Sequence, residues 1–387
     1  ENIAEIAPDF YEILTKKLFI VDKDCDEIDG IFKMWNDIDN SNNMYEITIN
    51  PTMNCNLRCW YCYENHNAGS YMNVETQQSL ITFIEKKAQK YKNISLSFFG
   101  GEPLLYFKKT VKPILDKIDS IRNQYQTIFH IHFTTNATLL TDEIISYLLP
   151  WTPSFQIALD GNEQFHNQVK ARGDSTKSTY STILKNIRLL LKNHIQVNIR
   201  CNYTAKSLPS FIDVLTDIKD WGMEEKHYAN ISLHRVWQDT SVPDTELLTL
   251  KTELEKHFSD AGFSVSYKTT NIIQRCYADK KNSIVINYDG SVFKCTARDF
   301  NDANKEGQLT NSGDVVWNDK HRIRIESMFQ NKTCLDCNIF GICRGGCSQS
   351  KLENKRNDCI MNFSENDKID FVQQRIIDIN KMMSHIK

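Results

Sequence analysis

The chain predicts an α/β fold, a partial (β/α)6 TIM-like barrel followed by a cysteine-rich region. Three observations predict it. Between Met44 and about Thr240, strand-like and helix-like patterns of apolar residues alternate six times. Such alternation implies a parallel sheet with right-handed crossovers. A tight run, Cys55-Asn-Leu-Arg-Cys59-Trp-Tyr-Cys62, follows the first strand directly, where a barrel of this kind carries its functional groups. Seven more cysteines crowd into the loop-rich stretch from Cys276 to Cys359.

The elements follow in order. Residues 1–43 form an appendage that reads as a helix over 6–17, a short strand around 18–21 and an acidic stretch over 22–29. The barrel, 44–240, opens with a strand over 45–49 that runs into the cysteine loop. Leu80, Phe83, Ile84 and Ala88 fall at helical spacing, and a second strand over 94–99 ends in Gly100-Gly101. Val111, Ile114, Leu115 and Ile118 mark the next helix, before strands over 129–134 and 155–159. Tyr180, Ile183, Leu184, Ile187 and Leu191 mark another helix, and 197–203 is the fifth strand. Leu208, Phe211, Leu215 and Ile218 lie on a helix that Gly222 terminates, and 231–236 is the sixth strand. A linking region, 241–275, carries a helix (Leu247, Leu250, Leu254, Phe258) stopped by Gly262. The cysteine-rich region spans 276–363, and 364–387 holds a last helix over about 367–383.

At 387 residues the chain can bury a full core. Its 41% hydrophobic and 25% charged content is ordinary for a globular protein. A net charge of -3 argues against the strong basic field of a nucleic-acid or membrane-surface binder. No apolar stretch approaches bilayer length and no secretory signal is visible. Twelve cysteines in such a chain point to metal binding rather than disulfides, and to a reducing cytoplasm.

The C-x3-C-x2-C run places three thiolates on one short loop, enough for three corners of a four-iron cubane. The fourth iron is then open to a small molecule. A zinc loop is the alternative, but zinc favours paired C-x2-C knuckles and four closed ligands. Gly100-Gly101-Glu102-Pro103 closes the second strand; its glycines let a ligand approach the backbone, and Glu102 can accept from an ammonium group. On the fifth strand, alternation puts Asn198, Arg200 and Asn202 on one face, and Val197, Ile199 and Cys201 on the other. A polar face inside a barrel implies a ligand. The Arg200 guanidinium suits a carboxylate, with a structural salt bridge as its alternative. Cys201 reads as a core cysteine, and His234 and Arg235 are further inward candidates.

Together these residues resemble the radical S-adenosylmethionine (radical SAM) enzymes, over roughly 44–363. The resemblance implies that Cys55, Cys59 and Cys62 hold a [4Fe-4S] cluster. Its open iron chelates the amino and carboxylate groups of S-adenosyl-L-methionine (SAM). It also implies SAM contacts from Tyr61, Gly100, Gly101, Glu102 and Asn136, with Arg200 on the carboxylate or ribose. Lys170 and Arg172 are further carboxylate candidates. Ala137 and Ala158 stand where the family usually has a glycine and a serine, so those contacts are in question, as is a role for Asp160.

Cys276, Cys295, Cys334, Cys337, Cys343, Cys347 and Cys359 resemble the SPASM extension of that family, which carries two auxiliary [4Fe-4S] clusters. By the resemblance, Cys334, Cys337, Cys343 and Cys359 fill one. Cys276, Cys295 and Cys347 hold the other, whose fourth ligand is open. Cys25 is the spare cysteine, expected at the surface. The expected cofactors are three [4Fe-4S] clusters and SAM.

The resemblance further implies an oxidoreductase that cleaves SAM to a 5'-deoxyadenosyl radical and abstracts hydrogen from a peptide. Similarity to the maturases of ribosomally made peptides implies a precursor with a leader segment and a thioether or carbon–carbon crosslink as product. It also implies a flavodoxin- or ferredoxin-type electron donor. Residues 1–43 would be a remnant of a leader-recognition domain whose earlier part lies outside this chain. Two rivals are an anaerobic sulfatase maturase and a non-catalytic zinc or electron-transfer module. Thr296 stands after Cys295 where the sulfatase maturases carry an acidic base.

Overall fold

The computed structural model describes residues 2–16, 20–170, 178–266, 276–327, 330–354 and 358–384. Six parallel strands form as the alternation predicts: β1 (Met44–Ile49), β2 (Asn93–Phe98), β3 (Ile128–Thr135), β4 (Ser154–Leu159), β5 (Gln196–Tyr203) and β6 (Ala229–Arg235). They lie side by side in sequence order, in a sheet whose two ends do not pair.

Along β1 to β5 every second residue is buried. The buried set, including Ile47, Leu96, Phe133, Ile157 and Ile199, packs against the crossover helices. Phe98, Phe133 and Phe155 stack in a row across three strands, with ring centroids 4.9 and 5.2 Å apart. The alternate residues are mostly polar, and those such as Thr48, Ser97, Thr134, Gln156 and Arg200 border a cavity. Parallel strands buried on both faces read as continuous apolar runs, so this alternation is the mark of a lumen.

The sheet is wider than the six strands expected. At one edge β7 (Ser264–Val265) adds parallel to β6. At the other, β8 (Ser283–Ile286) adds parallel to β1. Antiparallel strands β9 (Ser291–Phe293), β10 (Gly307–Leu309) and β11 (Val315–Trp317) continue from β8. The cysteine-rich stretch, read as loops, thus joins the barrel by strand addition. Its strands are 3–4 residues long, too short for a periodic signal in sequence.

The appendage differs more. The helix expected over 6–17 is two, Ile3–Ile6 and Pro8–Lys16, broken at Ala7 because a residue before proline is pushed from helical geometry. Part of the strand expected at 18–21 lies outside the described residues; Ile20 and Val21 are not in a strand. Asp26 ends the acidic stretch by capping a helix, Glu27–Asn40, its side chain accepting from the Asp29 N–H. That helix buries Trp35 and sets Phe32 edge-on to Phe340 of the cysteine-rich region, centroids 6.4 Å apart.

Gly222 does not stop the preceding helix, which ends at Ile218; it opens Met223–His227, and Glu225 accepts its N–H. Gly262 does follow the linking helix, Asp244–Asp260, at φ +90°. The last helix is Glu365–Ser384. Among the described residues, no helix is long and apolar enough to cross a membrane.

Candidate active site

A cavity of about 730 Å³ opens at the C-terminal ends of the strands and runs down the inner face of the sheet. Cys55, Cys59, Cys62, Tyr61, Gly100, Gly101, Asn136 and Arg200 all border it. The cysteine loop is held by its own backbone. Thr52 Oγ1 donates to the Ser70 carbonyl, and Ser70 Oγ accepts the Met53 N–H at 3.0 Å. Arg58 donates to the carbonyls of Cys55 and Leu57. Burial pushes the Cys55 thiol up to about 12 and the Cys62 thiol to about 11, and each is raised further by neighbouring acids and thiols. Burial raises the Cys59 thiol as well, so all three favour the protonated form, and a bound metal centre would deprotonate them.

The glycine turn is packed against that loop. Gly101 has φ +50°, and a Cβ on it would stand 2.3 Å from the Asn54 carbonyl oxygen. The Gly101 N–H donates to Glu64 Oε2 at 2.7 Å. Glu64 Oε1 is buried with no hydrogen-bond partner. Burial pushes this carboxyl up to about 7, against the pull of the Gly101 N–H.

Glu102 does not border the cavity. It is fully buried and its oxygens are taken: Oε1 accepts from the Leu104 N–H and Thr135 Oγ1, and Oε2 from the Asn136 N–H, at 2.7–3.0 Å. It ties the end of β2 to the end of β3. Asn136 in turn reaches the cysteine loop, donating to Asn56 Oδ1 at 2.9 Å. Ala137 has φ +61°, a left-handed conformation that explains why a glycine suits the position.

The wall opposite is a chain of polar groups. Tyr61 donates its hydroxyl to Asp160 Oδ1 at 2.5 Å and accepts from Asn202 at 3.0 Å. Asp160 also pairs with buried Lys170 at 3.4 Å. Arg200 donates its Nε to Asn202 at 3.0 Å, and among the described residues no carboxylate pairs with it. Its expected structural salt bridge is absent from that set. Arg235 also borders the cavity but is taken up by Asp239 and Asp244. Arg172 lies outside the described residues. Cys201 is buried in the helical layer, as alternation required.

Sequence reasoning missed Glu64 as a site residue, and with it Trp237, Gln238 and Tyr277. Trp237 stacks on Tyr63, centroids 5.4 Å apart and planes 7° from parallel, at the cavity's edge. Gln238 donates to the Tyr61 carbonyl at 2.8 Å. Tyr277 and Thr296, which follow Cys276 and Cys295, also border the cavity, their hydroxyls 2.6 Å apart. The loop after β6 carried no motif that would have marked Trp237 and Gln238.

The remaining cysteines fall into two groups. Burial first, and then the neighbouring Cys347, raise the thiols of Cys276 and Cys295, which groups these three. Burial first, and then the nearby Cys337 and Cys359, raise the thiols of Cys334 and Cys343, which groups these four. Tyr277 and Thr296, next to two of the three thiols, border the cavity, and Phe340, among the four, packs on Phe32 of the Glu27–Asn40 helix. Cys25 is exposed.

Residues 49–205 match the model of the Radical SAM superfamily. The chain is 24% identical over 338 residues to a cysteine-type anaerobic sulfatase-maturating enzyme of Clostridium novyi, covering 79% of this chain and 87% of the relative. It is 23% identical over 389 residues to the radical SAM cyclopropyl synthase TigE of Paramaledivibacter caminithermalis, covering 89% and 76%. Its fold is similar to native anSMEcpe, solved with AdoMet and a Cp18Cys peptide (TM-score 0.64, 18% identity, 89% of this chain and 100% of that one). It is also similar to Streptococcus suis SuiB bound to precursor peptide SuiA (TM-score 0.59, 15% identity, 93% and 90%). The chain therefore carries a radical SAM domain and is an enzyme.

Proposed function

We propose that this chain, an enzyme with a radical SAM domain, is a peptide maturase that closes a thioether or carbon–carbon crosslink in a ribosomally made precursor carrying a leader. One observation carries the reading. The cysteine loop, the Gly100-Gly101 turn, Arg200 and the residues after Cys276 and Cys295 all open onto one cavity. The donor set fits the cofactors: three thiols on one loop leave a [4Fe-4S] iron open. Among the described residues, a guanidinium paired with no carboxylate and a carboxylate oxygen without a donor suit an amino acid's two charges. When bound, the reduced cluster and SAM supply a 5'-deoxyadenosyl radical for hydrogen abstraction.

The chain's own residues bind and orient. Cys55, Cys59 and Cys62 hold the cluster. Arg200, fixed by Asn202, takes a carboxylate. Tyr61, locked by Asp160 and Asn202, forms a wall that does not swing. The Trp237–Tyr63 stack keeps bulk water from the cavity edge. Cys334, Cys337, Cys343 and Cys359 hold one auxiliary cluster, and Cys276, Cys295 and Cys347 a second with an open iron. The donor is of flavodoxin or ferredoxin type, and the setting is the cytoplasm.

A second reading, oxidation of a cysteine or serine to formylglycine, is supported by comparable identity to the sulfatase-maturating relative. Against it, the hydroxyl pair of Tyr277 and Thr296 borders the cavity where that chemistry needs an acid.

The test is anaerobic. Reconstituted protein should hold about twelve irons, and with dithionite and SAM should form 5'-deoxyadenosine. Cys59→Ala should abolish that cleavage, while Cys347→Ala should keep some cleavage and lose modified peptide. A precursor peptide encoded beside this protein should lose two hydrogens without gaining an aldehyde. An aldehyde trapped by hydrazine would favour the second reading. Zinc in place of iron, or full cleavage by Cys59→Ala, would overturn the assignment.

A further inference from the structure

The sequence pointed to Glu102 as the carboxylate for the cofactor's ammonium group. The structure turns Glu102 elsewhere: both oxygens accept from protein donors, and the side chain is fully buried and does not border the cavity. Yet a carboxylate does stand at the right place. Glu64 borders the cavity, two residues beyond Cys62. Its Oε2 is fixed by the N–H of Gly101, the glycine of the ligand-approach turn. Its Oε1 is buried and, among the described residues, has no hydrogen-bond partner. A Glu64 carboxylate oxygen, Cys62 Sγ and a His66 ring nitrogen all lie within 4.8 Å of one another.

We propose that Glu64, not Glu102, is the carboxylate that receives the ammonium group of SAM. This rests on the radical SAM reading and goes beyond it by assigning a residue. A buried carboxylate oxygen without a donor costs free energy that a bound cation recovers. The Gly101 N–H pre-orients the group, so little rotamer freedom is lost when the ligand arrives. Glu64 and Arg200 then offer opposite charges to the two ends of one amino acid. Glu102 serves as a positioning residue, holding β2, β3 and the Asn136 N–H in register.

The test measures binding to the anaerobically reconstituted protein by equilibrium dialysis, with no reductant and hence no turnover. The ligands are SAM and its analogue lacking the α-amino group. Glu64→Gln should weaken SAM by about 10- to 100-fold, the range expected for one charge-assisted hydrogen bond. It should leave the analogue's affinity near that of the unaltered protein, so the preference for SAM shrinks by the same factor. Iron content should not change. Glu64→Asp, which keeps the charge on a shorter arm, should fall between, and carries the test if Glu64→Gln loads iron poorly. An unchanged preference for SAM in both variants would overturn the assignment of Glu64 alone. Failure of the unaltered, iron-loaded protein to bind SAM would overturn the radical SAM reading beneath it.

Discussion

The two cysteine-bearing regions are held together by different physics. The loop at Cys55, Cys59 and Cys62 hangs from the end of β1, and beneath it lies an apolar core that includes Ile47, Leu96 and Phe133. The region from Cys276 to Cys359 adds Ile284, Ile286, Val292 and Leu309 to that same core, but around its cysteines it is organised by charge. Arg324 and Glu306, 0% and 1% exposed, pair at 2.7 Å. Arg324 also donates to Ser348 and Gln349, the residues after Cys347, and Ser348 donates to Asp279, near Cys276. Lys294, beside Cys295, donates to the carbonyls of Lys280 and Ser283. One buried guanidinium and one buried ammonium thus tie together the segments carrying three cysteines. The short strands join the barrel's core, and beyond them a charge network sets the geometry around these cysteines.

The sharpest way to break this contrast is to remove the charge. Arg324→Met leaves Glu306 buried without its main partner and should cost about 3–5 kcal/mol. A urea melt should show it, with iron lost first from the cysteine-rich region. Replacing both, Arg324→Met with Glu306→Leu, should recover most of the loss, since an apolar pair of similar volume substitutes well for a buried ion pair. If the double variant is as unstable as the single one, the network acts through more than its pair charge.

Glycine substitutions give a smaller and more local contrast. At Gly101, a Cβ would meet backbone at 2.3 Å, which no side-chain rotation relieves. Gly101→Ala should cost about 3 kcal/mol, combining overpacking with a left-handed φ, and should strip iron from the first loop. At Gly345 the nearest atom is Cys334 Sγ at 3.7 Å, so only the φ of +79° resists. Gly345→Ala should cost about 1–2 kcal/mol. Equal iron loss in both variants would mean the two regions are packed alike.

The same contrast decides what could be read from sequence. β1 to β5 were legible because each strand's apolar face is long enough to show period two, and β6 as an apolar run after a helix. Arg200 and Asn202 were legible by the same alternation. The first loop was legible because its three ligands are local. The Glu27–Asn40 helix was readable but hidden: Asp26 caps it and Ile28, Ile31, Phe32 and Trp35 keep helical spacing, yet the acidic run around them masks the pattern. The role of Glu102 could not be read, because which carboxylate faces a cavity depends on partners 33 residues away, such as Thr135. Glu64 gives no signal of its own; its meaning comes from Gly101, 37 residues on.

The smallest prediction concerns the barrel alone. His166 is fully buried behind Asp160, whose N–H it accepts at Nδ1, so its proton sits on Nε2. Burial first, and then the Lys170 charge, push its ring from 6.5 down to about 2. The unfolded chain therefore takes up a proton below about pH 6.5 that the folded chain refuses until near pH 2. This contribution to stability is complete above pH 6.5 and is lost as the pH falls. Between pH 7 and pH 5 the loss should be about 2 kcal/mol. Urea midpoints at the two pH values would measure it. His166→Gln should flatten that part of the slope, because an amide can accept the same N–H without titrating. A variant with the unaltered slope would place the acid sensitivity in the charge network around Glu306 instead, and the barrel would be the more acid-resistant of the two regions.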